Sequence, residues 1–338
     1  GLVGSEMCIR DRKKVLIFSN GEQIGDGILK LQIVNQLKSR FPDFEIHWMT
    51  DKIYTEYNAR LKKYTSDYID KVWEKANLNP FFWKKISPMY DLESENFDII
   101  IDTQKTVIRT MALRRIKNKK FISSSANWFF SDIRPNNISK KRKFYIQSII
   151  EMLDLVSTFK DSKKSHITIP KEIVNELKKI FSANKKYLGI SPGSNTPKRI
   201  WSFENYMNVA KYFEDKGFNI VYFLGPQEKH MKKEIIKQIK NPIFPEETLK
   251  NYLGLEVVMG TTKFLDIAIA NDSGTGQMLS TNLCPLLKIC GPTSAVKFLN
   301  DQFENIHFIS SVDFGGSNVN LISPNDVINK VNKILQSS

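Results

Sequence analysis

The sequence predicts an α/β protein made of two doubly wound, Rossmann-like domains. Short apolar runs rich in β-forming residues recur along the chain, glycine-containing loops follow several of them, and segments of helical period separate them. This alternation is typical of βαβ units with a parallel sheet. It begins twice, near residue 14 and again near residue 187. Two such halves suggest a cleft between two sheets, each offering the carboxyl ends of its strands.

The first half opens with a strand, a glycine loop and a helix. Lys14–Ser19 is an apolar run, Gly25-Asp26-Gly27 forms the loop, and the apolar residues of Ile28–Leu37 follow the helical period. Phe44–Met49 and Phe97–Asp102 predict two further strands, buried on both faces if they are parallel.

The second half repeats this arrangement. Between its first two strands, Phe203–Lys216 predicts a helix, and Gly217 stands where a helix commonly ends. The polar, lysine-rich region before this half carries one helical patch, Ile173–Phe181. Four apolar runs predict the strands: Tyr187–Ser191, Ile220–Leu224, Phe264–Ala270 and Pro285–Ile289.

These elements predict the domain bounds. We expect an N-terminal domain at residues 13–165, a linker at 166–186 and a C-terminal domain at 187–338. Residues 1–12 stand apart, because the string Met7–Arg12 (MCIRDR) resembles a translated sequencing adapter. We therefore expect them to be a non-native extension.

The composition excludes several classes of protein. With 41% hydrophobic residues the chain is too apolar to be disordered, and three cysteines are too few for a disulfide-stapled secreted domain. No run of about 18 apolar residues predicts a transmembrane helix. Cys284 and Cys290, without a CxxC motif, indicate a reducing cytoplasmic setting rather than a zinc site. The net charge of +14 suits nucleic acid, an anionic membrane surface or a phosphorylated ligand.

Two basic and aromatic stretches lie between the predicted elements of the first half. They are Lys62–Glu95 and Ser123–Lys143, and the second ends in the basic run Lys140–Lys143. Two interpretations are open: the stretches approach a membrane or a phosphorylated acceptor, or they are solvated helix faces in a lysine-rich chain. For any single run we favour solvated helix faces.

Several known chemistries lack their motifs. The sequence contains no GxxxxGK[ST] phosphate loop, no GxGxxG after the first strand and no HExxH, and its four histidines are scattered. No metal site is therefore expected. The lack of Asp-x-Asp argues against a diphosphate held through a metal, so no cofactor is required, with Mg²⁺ left open. A nucleic-acid-binding signature is also missing, which makes nucleic acid the least expected partner.

The loop Asn271–Gly276 is a candidate anion site. It follows a predicted strand and precedes the apolar residues Met278 and Leu279, so its backbone N–H groups would start a helix. Such N–H groups, with small side chains that allow close approach, suit a diphosphate. The alternative is an Asp or Ser N-cap on an ordinary helix, which composition alone slightly favours.

Four stretches, taken in order, resemble a known family. They are Ile24-Gly25-Asp26 with Phe41-Pro42-Asp43, Asp102-Thr103-Gln104, Ser191–Ser194 with Lys198–Trp201, and Asn271–Gly274 with Cys290–Ser294. From about Lys14 to its C-terminus the chain resembles glycosyltransferase family 9, the bacterial lipopolysaccharide heptosyltransferases. The resemblance implies the two-domain GT-B fold and inverting transfer of a sugar, from a nucleotide donor such as ADP-heptose to a lipopolysaccharide core acceptor. It also implies a cytoplasmic protein, peripheral on the inner membrane where it meets its acceptor.

The resemblance makes Asp26 the catalytic base. A sugar hydroxyl is a poor nucleophile, and a carboxylate within hydrogen-bond reach can take its proton as the new bond forms. Gly25 and Gly27 would leave room for the acceptor, and Gln104 would lie on the acceptor side. The alternative for Asp26 is a helix N-cap.

The same resemblance assigns the donor side. The family places a basic residue two positions before the tryptophan, here Arg199, with Lys198 beside it, where charge builds on the departing diphosphate. Arginine keeps the charge of lysine but offers a two-pronged contact instead of a point charge. Asp272 is expected to order its loop or to bind the donor sugar. The other donor-side residues are Ser194, Gln227, Glu228, Ser273, Gly274, Thr275, Gly276 and Gln277.

The sequence departs from the family pattern in two places. Gln277 stands where many members have histidine, and Lys105 replaces a usual glycine. Gln227 and Glu228 follow a strand where relatives place an acidic residue toward the nucleoside ribose. Two alternatives stay open: a glycosyltransferase with another sugar donor or acceptor, and a non-catalytic protein that retains nucleotide-sugar binding.

Overall fold

The computed structural model describes residues 12–136, 145–157, 159, 167–291 and 305–337. The chain divides into two compact units, one within residues 1–23 and 30–163 and the other within residues 24–29 and 164–338. Each unit contains one parallel sheet of five strands with helices, which confirms the predicted α/β class. The predicted extension up to residue 11, the basic run 140–143 and the family stretch 292–294 lie outside the described residues.

The sheet of the first unit reverses its strand order at its centre. All neighbouring strands are parallel, in the order β3-β2-β1-β4-β5, and Phe18 at the end of β1 pairs with Asp102 at the end of β4. Doubly wound sheets bind ligands beyond the carboxyl ends of the strands at such a reversal. The strands are β1 Lys13–Phe18, β2 Phe44–Met49, β3 Lys71–Trp73, β4 Asn96–Asp102 and β5 Lys117–Ser123.

Helix α1 differs from its prediction at both ends. It spans Ile24–Val34, so the glycine loop expected at residues 25–27 is helical, and the helix ends before Leu37. The part of α1 from Lys30 onward belongs to the first unit. The other α-helices of the first unit are α2 Leu37–Arg40, α3 Val107–Arg114 and α4 Tyr145–Asp154, with 3-10 turns at Glu56–Asn58, Lys62–Tyr64 and Ser125–Trp128.

The segment Lys62–Glu95, all of it described, does not form solvated helix faces, and that interpretation is wrong for this stretch. Apart from one 3-10 turn and β3 it is irregular. Three of its apolar side chains, Leu78, Ile86 and Leu92, are buried in the core cluster that covers one face of the first sheet. Packing therefore fixes this segment although it contains no α-helix.

The second unit has its reversal between β6 and β8. Its strands are parallel in the order β10-β9-β8-β6-β7. The predicted strands are present, but β8 starts at Ile267 rather than Phe264 because Thr262–Phe264 forms a 3-10 turn first. The strands are β6 Lys186–Ser191, β7 Phe218–Tyr222, β8 Ile267–Asn271, β9 Leu286–Cys290 and β10 Ile306–Ser310.

The segment expected as a linker belongs to the second unit. Its helix α5, Lys171–Ile180, buries Ile173 and Leu177, and a Cβ on Gly260 would lie 2.9 Å from Leu177 Cδ1. The predicted helix Phe203–Lys216 is present as α6, Phe203–Asp215, and Gly217 follows it with a φ of +84°. The remaining helices are α7 Lys232–Gln238, α8 Pro245–Thr248, α9 Gly254–Thr261, α10 Gly274–Met278 and α11 Pro324–Ser337, with 3-10 turns at Pro197–Arg199, Lys229–Met231, Ser311–Phe314 and Val319–Leu321.

Among the described residues, no helix is long and apolar enough to cross a bilayer.

Candidate functional site

The candidate donor site lies at the strand reversal of the second unit. Strands β6 and β8 are neighbours there, and Ser191 pairs with Ala270. The loop Pro192–Ser194 after β6 and the loop Asp272–Ser273 after β8 therefore leave the sheet side by side. This edge of a doubly wound sheet is where such folds bind nucleotides.

The buried side chain of Asn271 joins three parts of this edge. Its Nδ2 donates to the carbonyl of Pro192 at 2.6 Å, and its Oδ1 accepts from the N–H of Trp201 at 3.1 Å. The indole of Trp201 is itself buried and donates to the carbonyl of Ile322 at 2.8 Å. Asn271 thus holds the segment that carries Arg199 against both loops, a role that the sequence prediction missed.

Arg199 contacts the loop after β8 through an ion pair. Its guanidinium lies 3.1 Å from the carboxylate of Asp272, which is buried, whereas Lys198 is exposed. The short 3-10 turn Pro197–Arg199 directs the two neighbours differently. Asp272 accordingly orders this part of the site through an ion pair, one of the two roles expected for it.

The glycine loop begins helix α10, as the sequence predicted. Ser273 is its N-cap, and the hydroxyl accepts from the N–H of Gly276 at 3.1 Å. Gly276 is buried, and a Cβ there would lie 2.7 Å from the carbonyl oxygen of Asn271. Thr275 is half-buried. Gln277 is buried, and its backbone carbonyl accepts a hydrogen bond from the hydroxyl of Ser280. The N-cap interpretation therefore holds for Ser273, alongside the close backbone packing that an anion site needs.

Asp26 lies in the first turn of α1, with Gln23 as the N-cap residue, so it is neither a loop residue nor an N-cap. Its side chain is exposed, while Gly25 and Gly27 on either side are buried. Within the second unit, a Cβ on Gly25 would lie 3.0 Å from Cα of Gly274. The absence of a side chain at Gly25 thus brings the turn that carries Asp26 against the start of α10.

Of the two residues predicted to contact the ribose, Glu228 lies against the loop after β6. Glu228 is buried, and a Cβ on Gly193 would lie 2.6 Å from its Oε1, so the carboxylate covers the loop after β6. Gln227 is exposed. Ser194, also buried, donates from its hydroxyl to the carbonyl of Asp272 at 3.5 Å.

Lys288 is a buried cation that the sequence analysis did not select. It lies within β9, is fully buried, and its ammonium interacts electrostatically with Asp272. Burial lowers the pKa of Lys288 to about 8, although the carboxylate of Asp272 acts in the opposite direction. The signal in the sequence was a single lysine inside the apolar run Leu286–Cys290.

A buried carboxylate, Asp102, lies where the strand order of the first sheet reverses. It accepts from Thr110 Oγ1 at 2.6 Å, from the N–H of Gln104 at 2.9 Å and from Ser123 Oγ at 3.0 Å. Burial raises the pKa of Asp102 to about 6, although these hydrogen bonds favour the ionised form. Gln104, half-buried, donates to Thr103 Oγ1 at 3.2 Å. Asp102 therefore shapes the turn that carries Gln104.

We expect Asp102→Asn to raise the free energy of unfolding at neutral pH, because it removes the cost of ionising a buried carboxyl group. The folded pKa of about 6 exceeds the ordinary 3.8, so the folded state binds more protons between these values and the free energy of unfolding falls as pH rises. The loss is at most about 3 kcal/mol. An amide avoids it, since the hydroxyls of Thr110 and Ser123 can turn to accept. Urea denaturation at about pH 4 and about pH 7 measures the difference.

The control for this prediction is Asp132→Asn. Hydrogen bonding to Arg114 lowers the pKa of Asp132, so its contribution to stability is lost as pH falls, the opposite sign. If Asp102→Asn and the wild-type chain lose stability in parallel between the two pH values, the ionisation of Asp102 does not oppose folding.

Within the part of the chain that the structure describes, no group of three or more His, Cys, Asp or Glu side chains could hold a metal ion. His47 is buried and bonded to Glu45 and to the indole of Trp73, and burial lowers its pKa.

Comparisons with known proteins extend these observations. A sequence model of the family described as Glycosyltransferase family 9 (heptosyltransferase) matches residues 89–305. No curated protein matches the chain. A glycosyl transferase family 9 structure from Veillonella parvula is 18% identical, with a TM-score of 0.69 over 97% of this chain and 98% of that one.

Two structures from E. coli are similar in the same way. Heptosyltransferase WaaC with ADP-2-deoxy-2-fluoro heptose is 14% identical, with a TM-score of 0.63 over 95% of this chain and 99% of that one. ADP-heptose lps heptosyltransferase II is 14% identical, with a TM-score of 0.62 over 96% and 99%. At these identities the likeness shows a shared two-domain GT-B fold.

Proposed function

Because the chain belongs to glycosyltransferase family 9 and is a heptosyltransferase-like glycosyltransferase, we propose that it transfers heptose from ADP-heptose to a lipopolysaccharide core acceptor. The transfer inverts the configuration at the anomeric carbon. The family and its fold indicate glycosyl transfer. The donor, the acceptor and the residues that act on them are proposed here from the site.

The observation that carries the proposal is the ion pair of Arg199 with the buried Asp272. It holds a cation at the carboxyl edge of β6 and β8, beside the loop that begins α10. Charge develops on the departing diphosphate as the bond to the sugar breaks, and a fixed cation there stabilises the transition state. Glu228, buried over the loop after β6, would contact the nucleoside, and Ser194 and Ser273–Gln277 would line the phosphate and sugar positions.

Asp26 would act as the base. Its carboxylate takes the proton of the acceptor hydroxyl, whose oxygen attacks the anomeric carbon while the bond from that carbon to the diphosphate breaks and ADP leaves. Its exposure in the first turn of α1 leaves it accessible to an acceptor, and the buried Gly25 and Gly27 keep neighbouring side chains out of the way. Gln104 would contact the acceptor. No metal is required, since Arg199 supplies positive charge.

The acceptor is a glycolipid, so the protein would act in the cytoplasm as a peripheral protein at the inner face of the membrane. The experiment that tests the proposed function combines the full chain with ADP-heptose and a lipopolysaccharide core truncated before its heptoses. We expect ADP release that depends on the acceptor and persists with a metal chelator. Without acceptor-dependent release, the assignment of this donor and acceptor is wrong.

Gln277 favours a second candidate, a family member with a different sugar donor. Its buried amide can form hydrogen bonds but cannot carry the charge of the histidine that many relatives have there. A panel of nucleotide sugars in a thermal-shift assay separates the candidates, since a ligand that binds the folded state raises its melting temperature. A larger shift with another nucleotide sugar than with ADP-heptose would support the second candidate.

We expect Arg199→Ala to lower kcat/KM by about a hundredfold, the cost typical of removing one fixed donor to a developing negative charge. Arg199→Lys should recover part of the loss, because it restores the charge without the two-pronged contact. Lys198→Ala is the matched control, since Lys198 is exposed. Steady-state ADP release measures all three. A larger loss in Lys198→Ala than in Arg199→Ala would reverse the assignment.

A further inference from the structure

The loop between β3 and β4 exposes three adjacent aromatic rings. Phe82 is 83% exposed and Trp83 is 64% exposed, with Phe81 beside them. Phe81 and Trp83 stack at 4.9 Å between ring centroids, and Phe82 meets Trp83 edge-on at 4.8 Å. Rings of this size usually lie in a core, so a cluster of them on a surface marks a site of interaction.

The loop is held by hydrogen bonds rather than loosely extended. Arg115, directly after α3, donates to the carbonyl of Asn79 and to that of Lys84, each at 2.6 Å. The N–H of Asn79 donates to Ile86 at 2.8 Å, which closes the loop on itself. The exposed rings are therefore presented by a fixed frame and are not free to fold back into the core.

Helix α3 continues the apolar surface beside this loop. Ile108 is 61% exposed, and Met111, one turn later, is also exposed, while Leu113 on the other side of the helix is buried. Leu78 and Ile86 of the loop share a core cluster with Leu113, so the loop and α3 cover the same face of the sheet. The exposed side chains of the loop and of α3 therefore lie on the same side of the sheet, directed away from this core.

Cations border this surface. Lys84 and Lys85 follow the aromatic rings directly and are exposed, and Lys105 is exposed just before α3. Aromatic rings and lysines together are the composition of protein surfaces that insert into the headgroup region of a bilayer. A protein partner with an apolar groove would not need the flanking lysines, whereas anionic headgroups attract them.

We propose that the surface formed by Phe81–Lys85, Ile108 and Met111, the aromatic–basic surface, docks on an anionic lipid bilayer. The aromatic rings enter the headgroup region, and the lysines contact lipid phosphates. The inference rests on the proposed function in one respect, that a glycolipid acceptor is presented at a membrane. Its test contains neither donor nor acceptor, so it can fail while glycosyl transfer is retained.

Trp83 provides a built-in probe. The chain has five tryptophans, all in the described ranges, and the other four are buried. Vesicles of phosphatidylglycerol and phosphatidylcholine in equal parts should shift the emission of Trp83 to shorter wavelength and protect it from acrylamide quenching. Vesicles of phosphatidylcholine alone should do so at least about tenfold more weakly. Equal effects of both vesicles, or no effect of either, overturn the proposal.

Variants separate this surface from general stickiness. Phe82→Ser/Trp83→Ser should lower co-sedimentation with the anionic vesicles at least about tenfold, and Lys84→Glu/Lys85→Glu should do the same. The matched control is Leu283→Ser, since Leu283 is 77% exposed in the second unit. If Leu283→Ser lowers binding equally, the surface is not specific. If Trp83 is protected without vesicles in a dimer seen by sedimentation, the occupant is a second copy of the chain and the proposal is wrong.

Discussion

Asp26→Asn is expected to lower kcat by about a hundredfold to ten-thousandfold, the range that general base catalysis contributes. The amide keeps the size of the side chain and cannot accept the proton of the acceptor hydroxyl. Because Asp26 is exposed in the first turn of α1, the substitution should leave folding unchanged. Acceptor-dependent ADP release at saturating donor and acceptor measures the effect.

Donor binding distinguishes a lost base from a lost site. The shift in melting temperature on adding ADP should be the same in Asp26→Asn and in the wild-type chain, because the proposed donor contacts are made by Arg199 and the loop after β8, not by Asp26. A matched control is Asp43→Asn, an exposed carboxylate in the first unit. Full turnover in Asp26→Asn would rule out this residue as the base and leave the family assignment untouched.

The sequence predicted which loops lie side by side, because the carboxyl ends of parallel strands meet at one edge of a sheet. Once Tyr187–Ser191 and Phe264–Ala270 are recognised as strands of one doubly wound sheet, the loops after them must meet at the same edge. The structure pairs these strands and brings Arg199 to Asp272 there. Side-chain contacts within a short loop were predictable only through the family pattern, which did not decide between Lys198 and Arg199.

Other features depend on tertiary packing that periodicity does not reveal. The turn at Gly25 is helical and packs closely against Gly274, whereas two glycines near each other predict a loop. Asn271 and Lys288 have polar side chains whose partners lie far away in the sequence. The segment Lys62–Glu95 has no periodic hydrophobic pattern, because its buried side chains are separated from one another by irregular numbers of residues.

We expect Lys30→Met to lower the free energy of unfolding by about 3–5 kcal/mol, the cost of leaving a buried charge without its partner. Lys30 and Glu22 are both buried and pair at 3.0 Å, and Lys30 also donates to Ser19 at 2.7 Å. Glu22 further accepts from the indole of Trp48 at 3.1 Å and from the hydroxyl of Thr55. Urea denaturation measures the loss.

Two variants control this prediction. Lys38→Met removes a lysine from the more exposed pair with Asp70 and should cost about 1 kcal/mol or less. Glu22→Gln/Lys30→Met should recover part of the loss, because it no longer leaves a carboxylate unpaired. If Lys30→Met is no less stable than Lys38→Met, the buried pair does not hold the first unit together.

The pH dependence identifies the buried carboxylate as the cause of this loss. In the wild-type chain burial opposes ionisation of Glu22, but the charge of Lys30 and the hydrogen bonds outweigh it and lower the pKa, so the pair's contribution is present at neutral pH and lost as pH falls. In Lys30→Met the positive charge that lowers the pKa of Glu22 is gone, while burial still raises that pKa. Glu22 therefore binds a proton more readily in the folded state of the variant than in the wild-type chain. The difference in unfolding free energy between Lys30→Met and the wild-type chain should therefore shrink between about pH 7 and about pH 5. A difference that is constant over this range would assign the loss to packing of the lysine stem instead.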